Sequence, residues 1–561
     1  MYLLGIAAHF HDSAAVLIRD GRVVMALEEE RFSRVKHENA FPYRAIKRLM
    51  MDANITSNDL AAVAYYERPL RRFERILDTF VSTYPFSVQP FTRTMPEWLG
   101  AKITVEQSIR AATGFQGAIH YIPHHRSHAA AAFYPSPFQQ AAILTIDGVG
   151  EYETTGLWMG TGNDIEHLAS IHFPHSLGLL YSTVTTFLGF RANHDEAKVM
   201  GLAASGKPSF LSAFADILEA SEDGSFRLNM DYFVFNRSDQ MWSNRFEDIF
   251  GKPRLPHSEI TDRDRDLAAS IQHLMEQNMM NILQELYRRT QIDTVCIGGG
   301  VALNATANGK IWEQTPFKHA YVFGASGDNG AALGAALTTY HATATTTQRS
   351  PISSLALGTK IETASIRSEL MQRNITFEEC TSNELIAYAA TSLANREVVG
   401  WVQDEMEFGP RALGNRSILA DPRDVRMKAR LNSLKQREDF HPFACSILEE
   451  KASDYFDLPD DTSFPFMTFC FPVRKEKIDI IPAVIHTDRT SRLQTVSKEA
   501  GVYRELIEAF ENKTGVPCLL NTSFNKKNEP IVETATQTID CFLSLPIDAL
   551  ALGPFWITKN K

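Results

Sequence analysis

The stretch YLLGIAAHFHDSAAVLIRDGRVVMALEE, residues 2–29, decides how the first part of the chain folds. Its three apolar runs, at 2–8, 14–20 and 22–29, are rich in valine, isoleucine and leucine, which is typical of buried strands. The Asp20-Gly21 pair between the last two runs is a common hairpin turn, because both residues tolerate positive φ. The stretch therefore predicts three successive strands, with a hairpin between the second and the third.

A similar plan returns near residue 142. An apolar run at 142–148 is followed by a turn rich in Gly and Asp and by a second run at 154–160. Further along, the segments 293–311 and 320–340 each join an apolar strand to a glycine-rich turn and an alanine-rich helix. At such a turn, unpaired backbone N–H groups and the helix dipole can hold a phosphate or a carboxylate. We therefore expect two related halves, each led by a β-hairpin, in a duplicated α/β fold of the ATPase type.

The stretch HATATTTQRSP at 341–351, which is threonine-rich and ends in proline, indicates a boundary between domains. Small polar residues before a proline are typical of linkers. With 561 residues the chain is long enough for several domains. We expect a first domain at 1–345, a linker at 346–351 and a second α/β domain at 352–561, which includes a basic helix near 425–435.

Composition narrows the class of protein. The 44% of hydrophobic and 22% of charged residues are ordinary for a soluble globular chain, and the net charge of −11 disfavours nucleic-acid binding. The six cysteines are scattered without a CxxC pair, so neither a zinc ribbon nor a disulfide framework is expected. The N-terminus lacks the basic region of a signal peptide, and no apolar run is long enough for a membrane helix. We expect a cytoplasmic protein with neither a nucleic acid nor a membrane as partner.

Two histidines and two aspartates could form a metal site. His124 and His128 are four residues apart at the start of an alanine-rich helix, so both imidazoles can face the same way. Asp147 and Asp328 each follow an apolar strand and could complete a His2Asp2 set with open positions. Ordinary packing of a histidine pair is the alternative. Such ligands suit Fe2+, Mn2+ or Zn2+, and the spacing does not choose among them.

Two more residues are candidates for catalysis. His11 lies in the turn after the first strand, where an imidazole could take a proton from an attacking hydroxyl at neutral pH. A surface histidine is the alternative. Lys36, in EEERFSRVKHE, could neutralise a phosphate or belong to a solvated charged face.

The second domain carries a local excess of positive charge. Between residues 409 and 437, eight basic side chains face only two acidic ones. In an acidic protein this cluster indicates a small polyphosphate ligand, since arginine forks bind phosphate oxygens in pairs. A solvated basic helix is the alternative for residues 426–430. Arg489, Arg492 and the polar turn NTSFN at 521–525 could add contacts.

A series of motifs resembles one enzyme family from end to end. They are FHDSAAVLIRDGRVVMALEEERFSRVKHE (10–38), HHRSHAAAAFYPSPF (124–138), LTIDGVGE (144–151), AKVMGLA (197–203), GGGVALN (298–304), SGDNGAALGAA (326–336), FGPRALGNRSILADPR (408–423), KQREDFHPFA (435–444) and NTSFNKKNEPIV (521–532). In this order they resemble the O-carbamoyltransferases of nodulation-factor and antibiotic biosynthesis. Asn528 stands where that family is expected to have glycine, which bears on a turn.

The resemblance implies two domains with two active sites. The first domain would be similar to the threonylcarbamoyl-transferase fold, a relative of the actin and hexokinase ATPases, and the second would be YrdC-like. The second domain would use ATP, with Mg2+, to convert carbamoyl phosphate into carbamoyladenylate. The first would then pass the carbamoyl group to a hydroxyl of a small molecule, such as a natural product or a sugar. The acceptor and the oligomeric state stay open.

The motifs also imply roles for individual residues. His124, His128, Asp147 and Asp328 would hold a divalent metal, Fe2+ in the first instance with Zn2+ or Mn2+ as alternatives. The general base would be His11, and Lys36 would steady developing charge. The nucleotide or adenylate site of the first domain would include Gly299, Gly300 and Asn304. Carbamoyl phosphate or the phosphates of ATP would contact Arg411, Lys435 and Arg492, with Arg416, Asn521 and Ser523 as weaker candidates.

Two other readings compete with this one. A threonylcarbamoyl transferase that modifies tRNA would need a basic surface, which the net charge of −11 disfavours. A non-enzymatic regulator that binds ATP through an actin-like fold would explain the glycine-rich turns, but it would leave the second domain and the metal set without a role.

Overall fold

The computed structural model describes residues 1–344, 348–460 and 462–559. The chain forms two compact units, of which the first contains Met1–Glu29 and His37–Pro351 and the second contains Glu30–Lys36 and Ile352–Lys561. None of the helices in the described ranges combines the length and the apolar character that a membrane span requires.

The first unit has twelve strands in the described part of the chain. They are β1 (Tyr2–Ala7), β2 (Ala14–Arg19), β3 (Arg22–Glu28), β4 (Leu60–Tyr65), β5 (Ile119–Tyr121), β6 (Gln140–Ile146), β7 (Glu153–Thr161), β8 (Asp164–His172), β9 (Leu218–Ala220), β10 (Phe226–Leu228), β11 (Thr294–Gly298) and β12 (His319–Val322). Helix α1 (Glu30–Ser33) belongs to the second unit. The helices of the first unit are α2 (Tyr43–Asp52), α3 (Pro69–Ser82), α4 (Val88–Glu97), α5 (Val105–Thr113), α6 (His124–Phe133), α7 (Leu177–Phe187), α8 (Glu196–Ala203), α9 (Leu211–Phe214), α10 (Asn244–Phe250), α11 (Asp262–Thr290), α12 (Ala305–Asn308), α13 (Ile311–Gln314) and α14 (Asp328–Thr343).

Two five-stranded sheets in this unit share one topology. The first has the order β3-β2-β1-β4-β5 and the second the order β12-β11-β6-β7-β8. In each sheet the leading three strands are antiparallel, and two later strands extend the leading strand in parallel. The strand order read from the second sheet's far edge is therefore the same as that of the first. This confirms the predicted α/β class and the two halves led by β-hairpins.

Helices α6 and α14 form the middle layer of the first unit. α14 packs against β1, β2 and β4, whereas α6 packs against β6, β7 and β11, and the two helices contact each other. Both helices are alanine-rich and buried on nearly every side. Small side chains let the backbones approach closely: a Cβ on Gly334 of α14 would lie 1.8 Å from the Ser127 carbonyl oxygen of α6.

The second unit is built on one nine-stranded sheet. The strands of the second unit are β13 (Ala356–Lys360), β14 (Glu378–Glu379), β15 (Val399–Val402), β16 (Glu405–Glu407), β17 (Arg416–Ala420), β18 (Ala444–Leu448), β19 (Phe469–Pro472), β20 (Thr490–Val496), β21 (Cys518–Ser523), β22 (Ala549–Leu552) and β23 (Phe555–Thr558). The sheet order is β14-β23-β22-β15-β17-β21-β18-β20-β19, and β13 pairs separately with β16. The helices are α15 (Thr363–Gln372), α16 (Ser382–Ala394), α17 (Met427–Leu434), α18 (Ala452–Tyr455), α19 (Gly501–Thr514) and α20 (Ala535–Ser544).

Two parts of the predicted domain boundaries differ from the structure. Of the linker proposed at 346–351, residues 346 and 347 lie outside the described residues, as does residue 345, the proposed end of the first domain. Arg349 packs into the first unit: its guanidinium lies 4.0 Å from the centroid of the Phe133 ring and donates to the Ser136 carbonyl oxygen at 3.1 Å. The guanidinium gains contacts with an aromatic ring and with carbonyl oxygens in this position, which it would lack in a solvated linker.

The segment 30–36 also departs from the predicted boundaries. The sequence analysis places it in the first domain, but it groups with the second unit. Arg31 is 1% exposed and donates to the Gly409 carbonyl oxygen at 2.7 Å, and Arg34 donates to the carbonyl oxygens of Pro530 and Ile531, each at 2.8 Å. These long-range bonds explain the grouping, and they are invisible to a reading of local sequence.

Candidate functional sites

The two histidines and two aspartates of the predicted metal set converge in the first unit. His124 Nε2 lies 2.9 Å from Asp147 Oδ2 and 3.7 Å from Asp328 Oδ1. His128 Nε2 lies 3.4 Å and 3.3 Å from the same two oxygens, and the two Nε2 atoms are 3.0 Å apart. All four ligand atoms lie within 4.8 Å of one another. The side chains come from one face of α6, the end of β6 and the first residue of α14.

The donor set fits a divalent metal ion. Asp328 is 1% exposed, and neither of its carboxylate oxygens has a hydrogen-bond partner among the described residues. A buried carboxylate that accepts no hydrogen bond is costly, and a cation held by both carboxylates and both imidazoles would offset that cost. Imidazole with carboxylate suits Fe2+, Mn2+ and Zn2+ alike.

Neighbouring groups hold the ligands in place. The Gly300 N–H donates to Asp147 Oδ1 at 3.3 Å, so the glycine-rich turn after β11 orients one ligand. His125, the third histidine of the motif, is no part of the cluster: its ring contacts the Thr145 hydroxyl at 2.8 Å and the Glu153 carbonyl at 3.0 Å. It fixes α6 against the second sheet.

His11 lies beside this cluster, in the turn that joins β1 to β2. Burial alone would lower the pKa of its imidazole, but the hydrogen bond from Nδ1 to Asp12 Oδ2, at 2.9 Å, and the charges of Asp328 and Asp147 raise that pKa to about 9. The influence of both aspartates means that His11 is close to the candidate metal centre. A bound cation would offset their charge and bring the pKa of His11 back toward neutrality.

The predicted nucleotide loop of the first domain directly follows β11. Gly299 has φ +92°, and a Cβ there would lie 2.2 Å from the Ile146 carbonyl oxygen, so only glycine fits. Asn304 caps α12 by accepting from the Ala307 N–H at 3.1 Å, and its amide exchanges two hydrogen bonds with Gln272, each of 3.0 Å. The amide of Asn304 is therefore engaged within the protein.

A cluster of half-buried cations lies in the second unit. Burial and the charge of Arg492 hold the pKa of Arg411 well below its usual value, and the same two causes lower the pKa of Arg437 to about 10. Neither Arg411 nor Arg492 has a carboxylate within ion-pair distance in the described ranges 1–344, 348–460 and 462–559. Mutually repelling guanidiniums without counter-ions form a strong site for an anion.

Lys435 is buried near this cluster. Its ammonium donates to the carbonyl oxygen of Ser523, to the Ser523 hydroxyl at 3.2 Å and to Asn525 Oδ1 at 2.7 Å. Burial, and then the charges of Arg437 and Lys36, hold its pKa well below the usual value. Lys435 and Ser523, two of the predicted phosphate contacts, therefore lie together, with Asn525 in contact and the charge of Arg437 nearby.

Lys36 groups with the second unit, and its charge is one of the causes that lower the pKa of Lys435. Its catalytic role, to steady developing charge, stays a prediction. The contacts of Arg31 and Arg34 with the second unit determine this position.

Two of the weaker phosphate candidates are hydrogen-bonded within the protein. Arg416 is fully buried, and its guanidinium donates to the carbonyl oxygens of Gln403, Asp404, Asn415 and Thr359. Because Ser417 pairs with Ser523, Arg416 one residue earlier points to the opposite face of the sheet. The Asn521 amide donates to the Ser446 and Tyr503 hydroxyls, at 3.1 and 3.2 Å.

The sequence analysis missed two residues of the cation cluster as site residues. Arg437 lies two residues after Lys435, and Asn525 ends the NTSFN turn. Both residues belong to motifs that the sequence analysis quotes, so these motifs could have identified them. Asn528 in the same segment has φ +62°, a left-handed conformation that asparagine tolerates where glycine is expected.

Comparison with known proteins follows the same division into two parts. Residues 2–337 match the family described as "Carbamoyltransferase N-terminus", and residues 390–559 match "Carbamoyltransferase C-terminus". Uncharacterized protein sll1178 of Synechocystis is 39% identical over all of this chain and 97% of its own length. Nodulation protein NolNO of Sinorhizobium fredii is 38% identical over 98% of this chain and 79% of its own length.

Solved structures are more distant. Component A of (R)-2-hydroxyglutaryl-CoA dehydratase from Acidaminococcus fermentans aligns with a TM-score of 0.33 at 16% identity, over 61% of this chain and 98% of that chain. The likeness is too low to bear on function. Both family matches and the relatives agree, and together they span almost the whole sequence. The chain therefore belongs to the carbamoyltransferase family and is an enzyme of that class.

Proposed function

We propose that the enzyme is an ATP-dependent O-carbamoyltransferase that works in two steps. In the second unit, water cleaves carbamoyl phosphate to carbamate and phosphate, and the carbamate oxygen then attacks the α-phosphorus of ATP, held with Mg2+, so that pyrophosphate leaves and carbamoyladenylate forms. In the first unit, the carbamoyl group passes from the adenylate to a hydroxyl of a small-molecule acceptor.

The observation that carries the proposal is a set of half-buried arginines in the second unit. Burial lowers the pKa of Arg411, Arg437 and Arg492, and the charge of Arg492 lowers the pKa of the other two further. Arg411 and Arg492 lack a carboxylate partner in the described ranges. Two phosphorylated substrates would supply the missing negative charge, and guanidinium forks bind phosphate oxygens in pairs. Lys435, held by Ser523 and Asn525, would add a point charge at one edge of the anion.

The first unit would carry out the transfer. A divalent metal bound by the two histidines and two aspartates would act as a Lewis acid on the adenylate phosphate and stabilise charge on the departing AMP. The acceptor oxygen attacks the carbamoyl carbon, the bond from that carbon to the phosphate oxygen breaks, and AMP leaves with the electron pair. The hydroxyl proton passes to His11, which lies beside the cluster.

A small acceptor fits the charge of the protein better than a nucleic acid. A tRNA substrate would bind through an extended basic surface, and the net charge of −11 opposes that. The cations of the second unit, three half-buried arginines and the buried Lys435, form a local cluster that suits small anions instead.

The direct test is the release of pyrophosphate by the purified protein with ATP, carbamoyl phosphate and Mg2+. We expect release to depend on carbamoyl phosphate, to fall at least 100-fold in Arg492→Met, and to persist in His124→Ala, which lies in the other unit. Arg426→Ala is the matched control, because this arginine is exposed and pairs with Asp424. Absence of release from the wild-type protein, or full release by Arg492→Met, would refute the adenylation step.

A further inference from the structure

Three side chains form a continuous hydrogen-bonded chain next to the candidate metal centre. His11 Nδ1 lies 2.9 Å from Asp12 Oδ2, and His37 Nδ1 lies 2.7 Å from the other carboxylate oxygen, Asp12 Oδ1. Each imidazole thus has its own oxygen of one carboxylate. His11 and Asp12 come from the turn after β1, and His37 begins the segment that leads to α2.

The protonation of the rings follows from the identity of the bridging group. An ionised carboxylate only accepts hydrogen bonds, so both Nδ1 atoms must carry hydrogen. Although burial favours the neutral acid, the hydrogen bonds from His11 and His37 lower the pKa of Asp12 and keep it ionised. In neutral His11, Nε2 is therefore the nitrogen with a lone pair.

The backbone fixes this arrangement at some cost. Asp12 has φ +54° and His37 has φ +56°, a left-handed conformation that is uncommon outside glycine. Two backbone hydrogen bonds join the two segments: the His9 N–H donates to the Asn39 carbonyl at 3.0 Å, and the Ser13 N–H donates to the Glu38 carbonyl at 2.9 Å. Unusual backbone at two of three linked residues is typical of functional sites.

We infer that Asp12 and His37 are positioning residues that hold His11 as the general base of carbamoyl transfer. Asp12 selects the His11 tautomer and orients its ring, and His37 fixes the carboxylate through its second oxygen. This inference rests on the proposed function. It adds two residues to the transfer step, which neither the motifs nor the family match assigns.

The chemistry of the step is balanced. The acceptor O–H bond breaks as the oxygen joins the carbamoyl carbon, the proton goes to His11 Nε2, and AMP departs with the electron pair of the broken bond. The imidazolium that forms is stabilised by Asp12, in the manner of a Ser-His-Asp triad. Loss of the proton to solvent restores the neutral ring. His37 keeps the negative charge of Asp12 in place throughout.

Other charged groups face the same residues. His11 is influenced by Asp12 from its own turn, by Asp328 at the start of α14 and by Asp147 at the end of β6. The His194 ring, from the loop before α8, lies 4.4 Å from the His37 ring, edge to face. A pH profile must therefore be compared between variants at constant metal loading, so that the contribution of Asp12 is isolated.

The test compares four full-length proteins: wild type, Asp12→Asn, His37→Leu and His37→Asn. Asn at position 37 can still donate to Asp12, whereas Leu cannot, so the two variants separate hydrogen bonding from packing. With carbamoyladenylate formed in place and an alcohol acceptor, we expect kcat of transfer to fall on the order of 10²–10⁴-fold in Asp12→Asn. His37→Leu loses about 10-fold, and His37→Asn recovers most of it. Pyrophosphate release and metal content stay at wild-type levels.

The second readout is the pKa of His11, followed by NMR in labelled protein saturated with Zn2+ and assigned by its absence in His11→Gln. We expect that pKa to fall by at least one unit in Asp12→Asn, because the imidazolium loses its counter-ion. Unchanged kcat and an unchanged pKa would overturn the inference. If the wild-type protein formed the adenylate but transferred no carbamoyl group, the proposed transfer step would be wrong. The NMR comparison would still test whether Asp12 positions His11.

Discussion

Replacing Gly334 by alanine should lower the free energy of unfolding, although alanine usually stabilises a helix relative to glycine. In a helix interior alanine is favoured over glycine by about 0.8–1.0 kcal/mol. At position 334, however, the new Cβ would lie 1.8 Å from the Ser127 carbonyl oxygen and 2.8 Å from the Ala131 nitrogen. Relief requires α6 and α14 to separate by about 1 Å in a close-packed interior, and overpacking of this kind costs about 3 kcal/mol. The net loss is therefore about 2 kcal/mol.

The same separation would disturb the metal site. α6 carries His124 and His128, and α14 begins with Asp328, so movement of the helices lengthens the distances between these ligands. We expect affinity for Zn2+ to fall on the order of 10-fold, a loss comparable to that from disturbed ligand orientation.

Calorimetry tests both effects in one preparation. Scanning calorimetry should show the unfolding midpoint of Gly334→Ala lowered by about 3 °C, since the entropy of unfolding grows with the size of the unit, and titration should show weaker Zn2+ binding. Gly100→Ala is the matched control, because Gly100 lies in the helical turn Trp98–Lys102 and a Cβ there meets nothing within 4 Å. That variant should be unchanged or slightly more stable. If Gly334→Ala behaved like the control, the close helix contact would not govern the site.

Three further outcomes are expected. Asp328→Asn should abolish stabilisation by added Zn2+, since it removes a ligand charge, and a thermal shift equal to that of wild type would contradict the metal site. Arg416→Met should cost about 3 kcal/mol in urea unfolding, because four carbonyl groups lose a buried donor, whereas Arg492→Met should cost less than 1 kcal/mol; equal losses would refute the distinction. Burial and the charge of Arg349 lower the pKa of His341 to about 4, so the unfolded chain takes up a proton first and stability is lost as pH falls from about 6.5 to 4. His341→Phe should flatten that dependence between pH 7 and 5, and an unchanged slope would exclude His341 as its source.

Sequence patterns predicted the parts that depend on local order. The hairpin at 14–28 and its counterpart at 140–161 follow from apolar runs around turn residues, and both appear at the start of equivalent sheets. The metal set was within reach because residues at the end of a buried strand and at the start of a helix point toward one edge of a sheet. The spacing of His124 and His128 then supplied the shared face.

The surroundings of other residues could not be predicted, because pairing between distant parts of the chain determines them. Arg416 and Arg411 occupy one basic motif, and only the strand register shows that Arg416 faces carbonyl groups away from the cation cluster. Lys36 follows the first hairpin in sequence, but its segment is bound by carbonyl groups hundreds of residues away. The hydrogen bond between Asp12 and His37 spans 25 residues and likewise has no signature in local periodicity.

The position of segment 30–36 has a consequence for biosynthesis. Arg34 and its acceptor Ile531 are separated by 497 residues, so at a usual translation rate of 5–20 residues per second the segment waits about 25–100 s for its partner. During that time the strands on both sides of it can already pair, because their partners are much nearer in the chain. The second unit is therefore completed only after nearly all of the polypeptide has left the ribosome. A fragment that starts at residue 352 would lack this segment and should fold poorly unless a peptide of residues 30–36 is supplied in trans.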